Sequence, residues 1–329
     1  MSFKKICFYS RAHDGMDNGE VLWWNFKSPK LVRKFETPKS FTKFDALKDR
    51  LFTQQVSESS RSLRDIIQCY DKNLNYRIAQ KGEFLVLYNY VPASRSFACH
   101  ESITYVTHSD FTYLDNLKPV VERWEGPISL ALYAPGTDFT ATLTSIRYLR
   151  KCSSPLISEY VSFHIFFEAI HLPKIIPRPQ DVLQDETFNC AVPPPWYKAT
   201  PKSMYRYKNK LLYPINVGRN LARDSAQTHY IFVSDIELYP SPAIIPNFLD
   251  MVRRQDPPIQ HAKPKVFPLC LFEVESYAQP PSTKEELVSI AAFEMVVLDC
   301  YLPPENSEYS IPCEIKGNTP RPNHTFSRI

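Results

Sequence analysis

Two carboxylates two residues apart, Asp235 and Glu237, are the side chains of this sequence best suited to chemistry. They follow residues 229–233, a short apolar, β-branched and aromatic run that predicts a buried strand. Ligands of open α/β sheets bind beyond the carboxyl ends of the strands, and side chains two apart on an extended chain point the same way. Because hard divalent cations prefer oxygen ligands and bridge to phosphate oxygens, the pair suits a metal–nucleotide site. The alternative is a solvated turn or a helix cap, since acids at strand ends are common.

A helix is predicted before this strand, with Asn216 as its N-cap and its end near Thr228. Arg219 and Arg223 are four residues apart and therefore share one face of that helix. A pair of guanidinium groups beside a pair of acids suits a charged ligand with a metal counterion. Alternatively, Arg223 pairs with Asp224 or with solvent, and the residues alone do not separate the two interpretations.

Strands and helices alternate through the middle of the chain. The pattern predicts strands at 83–91, 102–108, 128–133 and 160–167, and helices at 111–124 and 139–150. This order favours parallel pairing and right-handed crossovers. The strand at 102–108 ends in the polar residues Thr107, His108 and Asp110, as expected where a strand tip meets a ligand. His108 has an alternative role as a hydrogen-bonded structural imidazole.

Composition excludes several classes of protein. The net charge of +4 over 329 residues contains no run of basic residues, so nothing indicates a nucleic-acid partner or an anionic membrane surface. With 7 glycines against 29 prolines there is no glycine-rich phosphate loop, which excludes a P-loop and a dinucleotide fingerprint. The eight cysteines form no C-x-x-C pair, which argues against a zinc site and leaves disulfide partners unassigned. We find no signal peptide and no apolar run long enough for a membrane anchor.

Long collinear stretches resemble the family 49 glycosyltransferases, and within them the β-1,4-glucuronyltransferase branch of invertebrates. Two of them are Cys99-His-Glu-Ser-Ile-Thr-Tyr-Val-Thr-His-Ser-Asp110 and Ala131-Leu-Tyr-Ala-Pro-Gly-Thr-Asp-Phe139. The others lie at 87–94, 113–117, 123–124, 145–150, 213–240 and 266–269. The resemblance runs from about residue 84 to about residue 288, so it is far more specific than the acid pair alone.

The resemblance implies a GT-A-like (Rossmann-like) α/β fold, in which a mixed sheet is flanked by helices, together with a UDP-sugar donor and a divalent metal, usually manganese. It places Asp235 and Glu237 at the family's D-x-D position, with a Glu where the general pattern has Asp. Thr107, His108 and Asp110 would meet the nucleotide at the strand tip, with Arg219 and Arg223 on the helix beside it. We expect manganese binding to depend on Asp235 more than on Glu237, whose longer side chain can act through water.

The implied activity is transfer of glucuronic acid from UDP-glucuronic acid to a hydroxyl of a glycan acceptor, in protein O-glycosylation. Inversion needs a carboxylate base, for which Glu273 is the candidate on a strand expected at 266–274. Two alternatives stay open: an N-acetylglucosaminyl donor, and a non-catalytic sugar-nucleotide-binding remnant.

The family carries an N-terminal membrane anchor for the Golgi lumen and continues beyond position 329, so we expect a chain that is incomplete at its C-terminus. We divide it into an N-terminal extension (1–82), a nucleotide-sugar-binding domain (83–290) and a Pro-rich tail (291–329) that begins inside a helix at 284–300. Prolines at 303, 304, 312, 320 and 322 predict that this tail has no packed position. Asp235 is expected at the end of a central strand, within about 10 Å of the tip of strand 102–108.

Overall fold

Two β-sheets and eight α-helices make up the computed structural model in the part of the chain that it describes, which is residues 3–8, 62–184, 188–256, 259, 267, 270–275, 279–292 and 296–298. The strands are β1 (Phe3–Phe8), β2 (Arg77–Lys81), β3 (Phe84–Val91), β4 (Ile103–Ser109), β5 (Ile128–Tyr133), β6 (Val161–Glu168), β7 (Tyr230–Val233), β8 (Leu238–Pro240), β9 (Cys270–Glu275) and β10 (Val296–Leu298). The helices are α1 (Leu63–Ile67), α2 (Leu117–Trp124), α3 (Asp138–Cys152), α4 (Pro155–Tyr160), α5 (Tyr205–Lys208), α6 (Ile215–Asp224), α7 (Ile244–Arg254) and α8 (Lys284–Ala292).

The larger sheet has six strands in the order β2-β3-β6-β5-β4-β7. Strands β6, β5, β4 and β7 run parallel to one another, whereas β3 is antiparallel to β6 and β2 is antiparallel to β3. The predicted α/β class, with a mixed sheet flanked by helices, is therefore confirmed, as is the parallel pairing of the central strands.

Helices cover both faces of this sheet, which explains why β4 and β5 are buried at every position. Alternate residues point to opposite faces, so Tyr105 and Leu130 enter the larger hydrophobic core with α2 and α3. Val106 and Ala131 enter a smaller core, against Leu221 of α6. The end of β4 is thereby fixed between two layers of packed side chains.

The smaller sheet has the order β10-β9-β1-β8, with β1 parallel to β8 and antiparallel to β9. The short turn between β7 and β8 therefore joins the two sheets. Strand β10 pairs with β9 from Val296 to Leu298, so the expectation that residues 291–329 have no packed position is wrong for these three. The five tail prolines lie outside the described residues. The expected boundary between the N-terminal extension and the domain, at residue 83, falls between β2 and β3. These two strands are neighbours in the same sheet, so β2 is part of the sheet that the domain contains.

Strand β7 lies at the edge of the six-stranded sheet, so the expectation of a central strand before Asp235 is wrong. It is also only half-buried, with Ile231 37% and Val233 49% exposed. Its apolar sequence is that of a buried strand, but among the described residues β4 is its one ladder partner. An edge position is set by long-range pairing, and local hydrophobicity does not reveal it.

Three predicted helices differ from those observed. Residues 111–124 form a 3₁₀ segment capped by Asp110, followed by α2, instead of one continuous helix. Pro119 has no N–H with which to continue the hydrogen-bond pattern of a single helix. Asn216 is not the N-cap of α6: it lies inside the first turn, which follows Pro214 and has no side-chain cap. The helix ends at Asp224, and Thr228 instead accepts the backbone N–H of Thr104 at 2.8 Å. The helix expected at 284–300 ends at Ala292.

Cross-links and one buried cation tie the surface segments to the sheet. Disulfides join Cys69 to Cys99 and Cys152 to Cys190. The Arg150 guanidinium donates to three backbone carbonyl groups, and burial lowers its pKa to about 10. A search for membrane spans over the described residues finds no helix with the length and apolar character to cross a bilayer.

Candidate functional site

Asp235 lies on the turn between β7 and β8, and the Leu238 N–H donates to its backbone carbonyl at 3.0 Å. The segment is thus a turn rather than the extended chain assumed from the sequence. Ile236 turns into the core, 4% exposed, while Glu237 on its far side is exposed. The buried isoleucine anchors the turn and leaves both acids accessible.

Arg219 and His108 hold the Asp235 carboxylate from α6 and β4. Nη2 of Arg219 donates to Oδ1 at 2.6 Å, and Nε2 of His108 lies 3.5 Å from the same oxygen, an electrostatic contact rather than a close hydrogen bond. The His108 imidazole and the Arg219 guanidinium lower the pKa of Asp235 to about 2, against partial burial, which raises it. Asp235 is therefore ionised at neutral pH, and its contacts with other described side chains all go to Oδ1.

Tyr105 holds the backbone of the same turn from the opposite face of β4. Its hydroxyl lies 2.9 Å from the carbonyl oxygen of Asp235 and 2.8 Å from that of Leu238. The Tyr105 ring packs edge-on against Trp124, which stacks on Phe232 of β7. One strand thus fixes both the backbone and the side chain of Asp235, which confirms that Asp235 lies next to the tip of β4.

A glycine and a buried polar relay place α6 on the sheet. A Cβ at Gly218 would lie 2.9 Å from Cβ of His108, so only glycine allows this approach. The Ser129 hydroxyl donates to the carbonyl of Ala222 at 2.7 Å and contacts Nε2 of His164 at 3.0 Å. Burial lowers the pKa of His164 to about 3, so the ring is neutral and structural. Arg219 is carried by a helix that is fixed at both of these points.

A second ion pair, more buried than that of Arg219 with Asp235, joins Arg206 to Asp110. Oδ1 of Asp110 accepts the backbone N–H of Thr112 at 2.9 Å, and Oδ2 of Asp110 accepts from Nη1 of Arg206 at 3.1 Å. Asp138 holds the start of α5 by accepting the backbone N–H groups of Tyr205 and Arg206 at 2.8 and 3.0 Å. Arg206 lies in α5, 96 residues from Asp110, and no local pattern indicated it. Tyr105 and Tyr213 were missed for the same reason.

The other predicted site residues lie in different surroundings. Thr107 is fully buried and shares the β4 face of Tyr105, opposite to His108, and its hydroxyl has no partner among the described residues. The Arg223 guanidinium is exposed and lies 3.4 Å from Asp224, the alternative that the sequence left open. The pKa of the half-exposed Tyr113 phenol is raised, mainly by burial and then by the charge of Asp110. Glu237 lies close enough to add a smaller contribution in the same direction. Glu273 lies on β9, where it pairs with Lys5 of β1.

The acid turn fits a hard cation in chemistry but does not form a complete cage. Asp235 and Glu237 offer accessible carboxylate oxygen atoms. The lowered pKa of Asp235 keeps its carboxylate charged at neutral pH. Over the described ranges, the one cluster of three potential ligands is Cys69, Cys99 and His100, and its cysteines form a disulfide. A cation at the acid turn would therefore take its remaining ligands from a bound phosphate or water.

Comparison with known proteins identifies the family. A family of proteins described as glycosyl-transferase for dystroglycan matches residues 102–297, which include the acid turn, α6 and β4. β-1,4-Glucuronyltransferase 1 of Danio rerio is 28% identical over 190 residues, covering 56% of this chain and 42% of that protein. The Homo sapiens protein of the same name is 25% identical over 191 residues, covering 56% and 43%.

A second kind of relative matches more of the chain. Xylosyl- and glucuronyltransferase LARGE2s of Danio rerio is 24% identical over 293 residues, covering 82% of this chain and 32% of that protein. The matched part of the chain thus spans less than half the length of each of these relatives. The family match covers more than half of the chain, and the chain therefore belongs to this family of glycosyltransferases.

Proposed function

We propose that the protein is a metal-dependent glycosyltransferase that transfers glucuronic acid from UDP-glucuronic acid to a glycan hydroxyl, in protein O-glycosylation. The observation that carries the proposal is the ionised Asp235 carboxylate, held by Arg219 and His108 at the carboxyl ends of the parallel strands. The names of both kinds of relative contain glucuronyltransferase, which favours glucuronic acid over N-acetylglucosamine.

The charges at the turn support metal dependence. Asp235 and Glu237 together carry two formal negative charges, and among the described residues Arg219 is the one guanidinium in contact with them. A diphosphate would be repelled by this balance, and a divalent cation would reverse it. When bound, such a cation (Mn²⁺ in our proposal) would supply electrostatic stabilisation of the UDP leaving group. Asp235 and Glu237 would hold it, with Arg219 orienting Oδ1 of Asp235.

The smaller sheet places Glu273 in line with the acid turn. Leu238, which follows Glu237, and Glu273 are both opposite Lys5 of β1, one on each side. Their Cα atoms are therefore about two strand spacings, ~10 Å, apart. Strand β1 lies between them, so a sugar that met both positions would lie over one face of the smaller sheet. We retain Glu273 as the proposed general base for the acceptor hydroxyl.

A transfer assay tests the function directly. The protein with Mn²⁺, UDP-glucuronic acid and a xyloside acceptor should release UDP and produce a glucuronylated product, detected by mass spectrometry. Preferential use of UDP-N-acetylglucosamine would establish the alternative donor. Tight UDP binding without transfer would establish a non-catalytic binding protein, and neither binding nor transfer would refute the proposal.

Variants then test the assigned residues. Manganese titrated in the presence of UDP should bind more weakly to Asp235→Ala than to Glu237→Ala, and equal losses would remove that order. Arg219→Ala and Arg223→Ala form a matched pair, because both arginines lie on α6 and only the first contacts Asp235. We expect UDP binding to weaken in Arg219→Ala and to be retained in Arg223→Ala, whereas equal effects would place the nucleotide against both.

The two disulfides support the Golgi lumen as the location in which the protein acts. Disulfides form and persist in oxidising compartments and are rare in the cytosol. Protein isolated from cells under alkylating conditions should therefore have Cys69–Cys99 and Cys152–Cys190 oxidised. Free thiols at all four positions would contradict this location.

A further inference from the structure

We propose that Tyr213 is a positioning residue of this site, which acts through His108 to orient the Asp235 carboxylate. The expected effect on ligand binding rests on the proposed function, whereas the geometry does not. Tyr213 precedes α6 and its hydroxyl lies 2.8 Å from Nδ1 of His108. The other ring nitrogen of His108, Nε2, faces Oδ1 of Asp235.

The chemistry of the partners sets the direction of this relay. Oδ1 of Asp235 already accepts from Nη2 of Arg219, so a favourable contact with this oxygen requires that Nε2 of His108 carries a proton. In a neutral imidazole Nδ1 is then the acceptor, and the Tyr213 hydroxyl must donate to it. Burial raises the pKa of Tyr213 well above its usual value, with a further contribution from Asp110, so the phenol retains its proton.

Packing keeps the two rings in this arrangement. The rings of His108 and Tyr213 lie 5.5 Å apart, and Tyr133 packs edge-on against Tyr213 at 5.6 Å. The Arg206 guanidinium lies 5.4 Å from the centre of the Tyr213 ring. Gly218 of α6 packs closely against Cβ and Cγ of His108. The imidazole therefore has little freedom to rotate, and its hydrogen-bond partner decides which nitrogen carries the proton.

This relay would determine which oxygen of Asp235 is available to a ligand. His108 and Arg219 both act on Oδ1, which leaves Oδ2 accessible to a cation or to a donor group of the substrate. Without the Tyr213 hydroxyl, His108 can adopt the other tautomer, and an unprotonated Nε2 would repel Oδ1. The carboxylate would then rotate, and ligand binding would weaken although every proposed ligand residue remained in place.

Tyr213→Phe tests the proposal, because it removes one hydroxyl and keeps the ring. Tyr133→Phe is the matched control: it removes a buried hydroxyl from the adjoining ring, one that donates to Glu168 and does not contact His108. The first measurement is the tautomer of His108 from its ¹⁵N chemical shifts, at mildly alkaline pH without ligand and assigned with His108→Gln. The second is the affinity for UDP with Mn²⁺.

The wild type and Tyr133→Phe should both show the Nε2–H tautomer and the same affinity. Tyr213→Phe should show a mixture of tautomers and an affinity about fivefold to tenfold lower. An unchanged tautomer in Tyr213→Phe would overturn the relay. A changed tautomer with unchanged affinity would overturn its role in orienting Asp235. If the wild type binds no UDP, the proposed function fails, and so does the positioning role, while the tautomer still decides whether the relay exists.

Discussion

Replacing Gly218 by alanine adds one methyl group at the closest approach between α6 and the sheet. The new Cβ would lie 2.9 Å from Cβ of His108 and 3.3 Å from Cζ of Phe166. The first distance is shorter than carbon atoms adopt without a shift, and Cβ of His108 belongs to a fully packed strand that cannot give way. The helix itself must therefore move outward by several tenths of an ångström.

Two opposing effects set the size of the change in stability. Alanine inside a helix is favoured over glycine by about 1 kcal/mol. Overpacking a buried contact costs about 1–3 kcal/mol. Because the clash is with a strand rather than with the end of a flexible side chain, we expect the cost to exceed the gain. Gly218→Ala should lower the free energy of unfolding by about 1 kcal/mol, the difference between the middle of that cost and the gain.

Urea unfolding of Gly218→Ala and of Asn220→Ala measures the two effects separately. Asn220 lies on an exposed face of the same helix, so its replacement reports the gain in helix propensity without a clash. The outward shift should also move Arg219 away from Asp235 and weaken UDP binding. If Gly218→Ala is stabilised as much as Asn220→Ala, the close packing of α6 against His108 is wrong.

Three further variants probe the turn and the core. The pKa of Asp235 is lowered to about 2, so its carboxylate stabilises the fold above its unfolded pKa of about 4, and this contribution is lost as the pH falls toward 2. The unfolding free energies of wild type and Asp235→Asn should therefore differ by about 1 kcal/mol at about pH 7, after discounting for solvent exposure, and converge by about pH 2. A difference that does not depend on pH would contradict the origin of the pKa shift. Arg150→Met leaves three backbone carbonyl groups without their donor and should lower the free energy of unfolding, measured with urea or heat, by about 2 kcal/mol. Equal stability of the two proteins would show that removal of the buried charge compensates for the lost hydrogen bonds. Tyr105→Phe should accelerate hydrogen exchange at the Leu238 amide, and unchanged exchange would show that the turn holds without the hydroxyl.

The parallel core of the fold could be predicted because its strands are continuous apolar runs separated by amphipathic helices. Strands β4, β5 and β6 lie within one or two residues of their expected bounds. The edge position of β7 could not be predicted, because it depends on pairing with β4 more than a hundred residues away. The pairing of β1 with both β8 and β9 could not be predicted either, because it joins segments more than two hundred residues apart. Sequence periodicity reports which face of an element is buried, not which element covers it.

The acids and one arginine of the candidate site were identifiable from residue type and position at a strand end. The contacts that hold them were not, since Tyr213 meets His108 across 105 positions and Tyr105 meets Asp235 across 130. The two arginines of α6 looked equivalent by spacing, and they differ because one is close enough to reach Asp235 while the other meets Asp224. Side-chain reach within a fixed packing arrangement made that distinction.

The turn that carries Asp235 is also a short covalent link between the two sheets, so ligand affinity depends on how far the two sheets have assembled. Formation of the six-stranded sheet alone would bring Arg219 and His108 together, but the far end of the turn is set by β8, which pairs with the first residues of the chain. Asp235 can therefore be held before the N-terminal strand docks, whereas a site that uses both Asp235 and Glu237 is complete only afterwards. Nucleotide would select, from a partly folded population, the molecules in which the two ends of the fold have met.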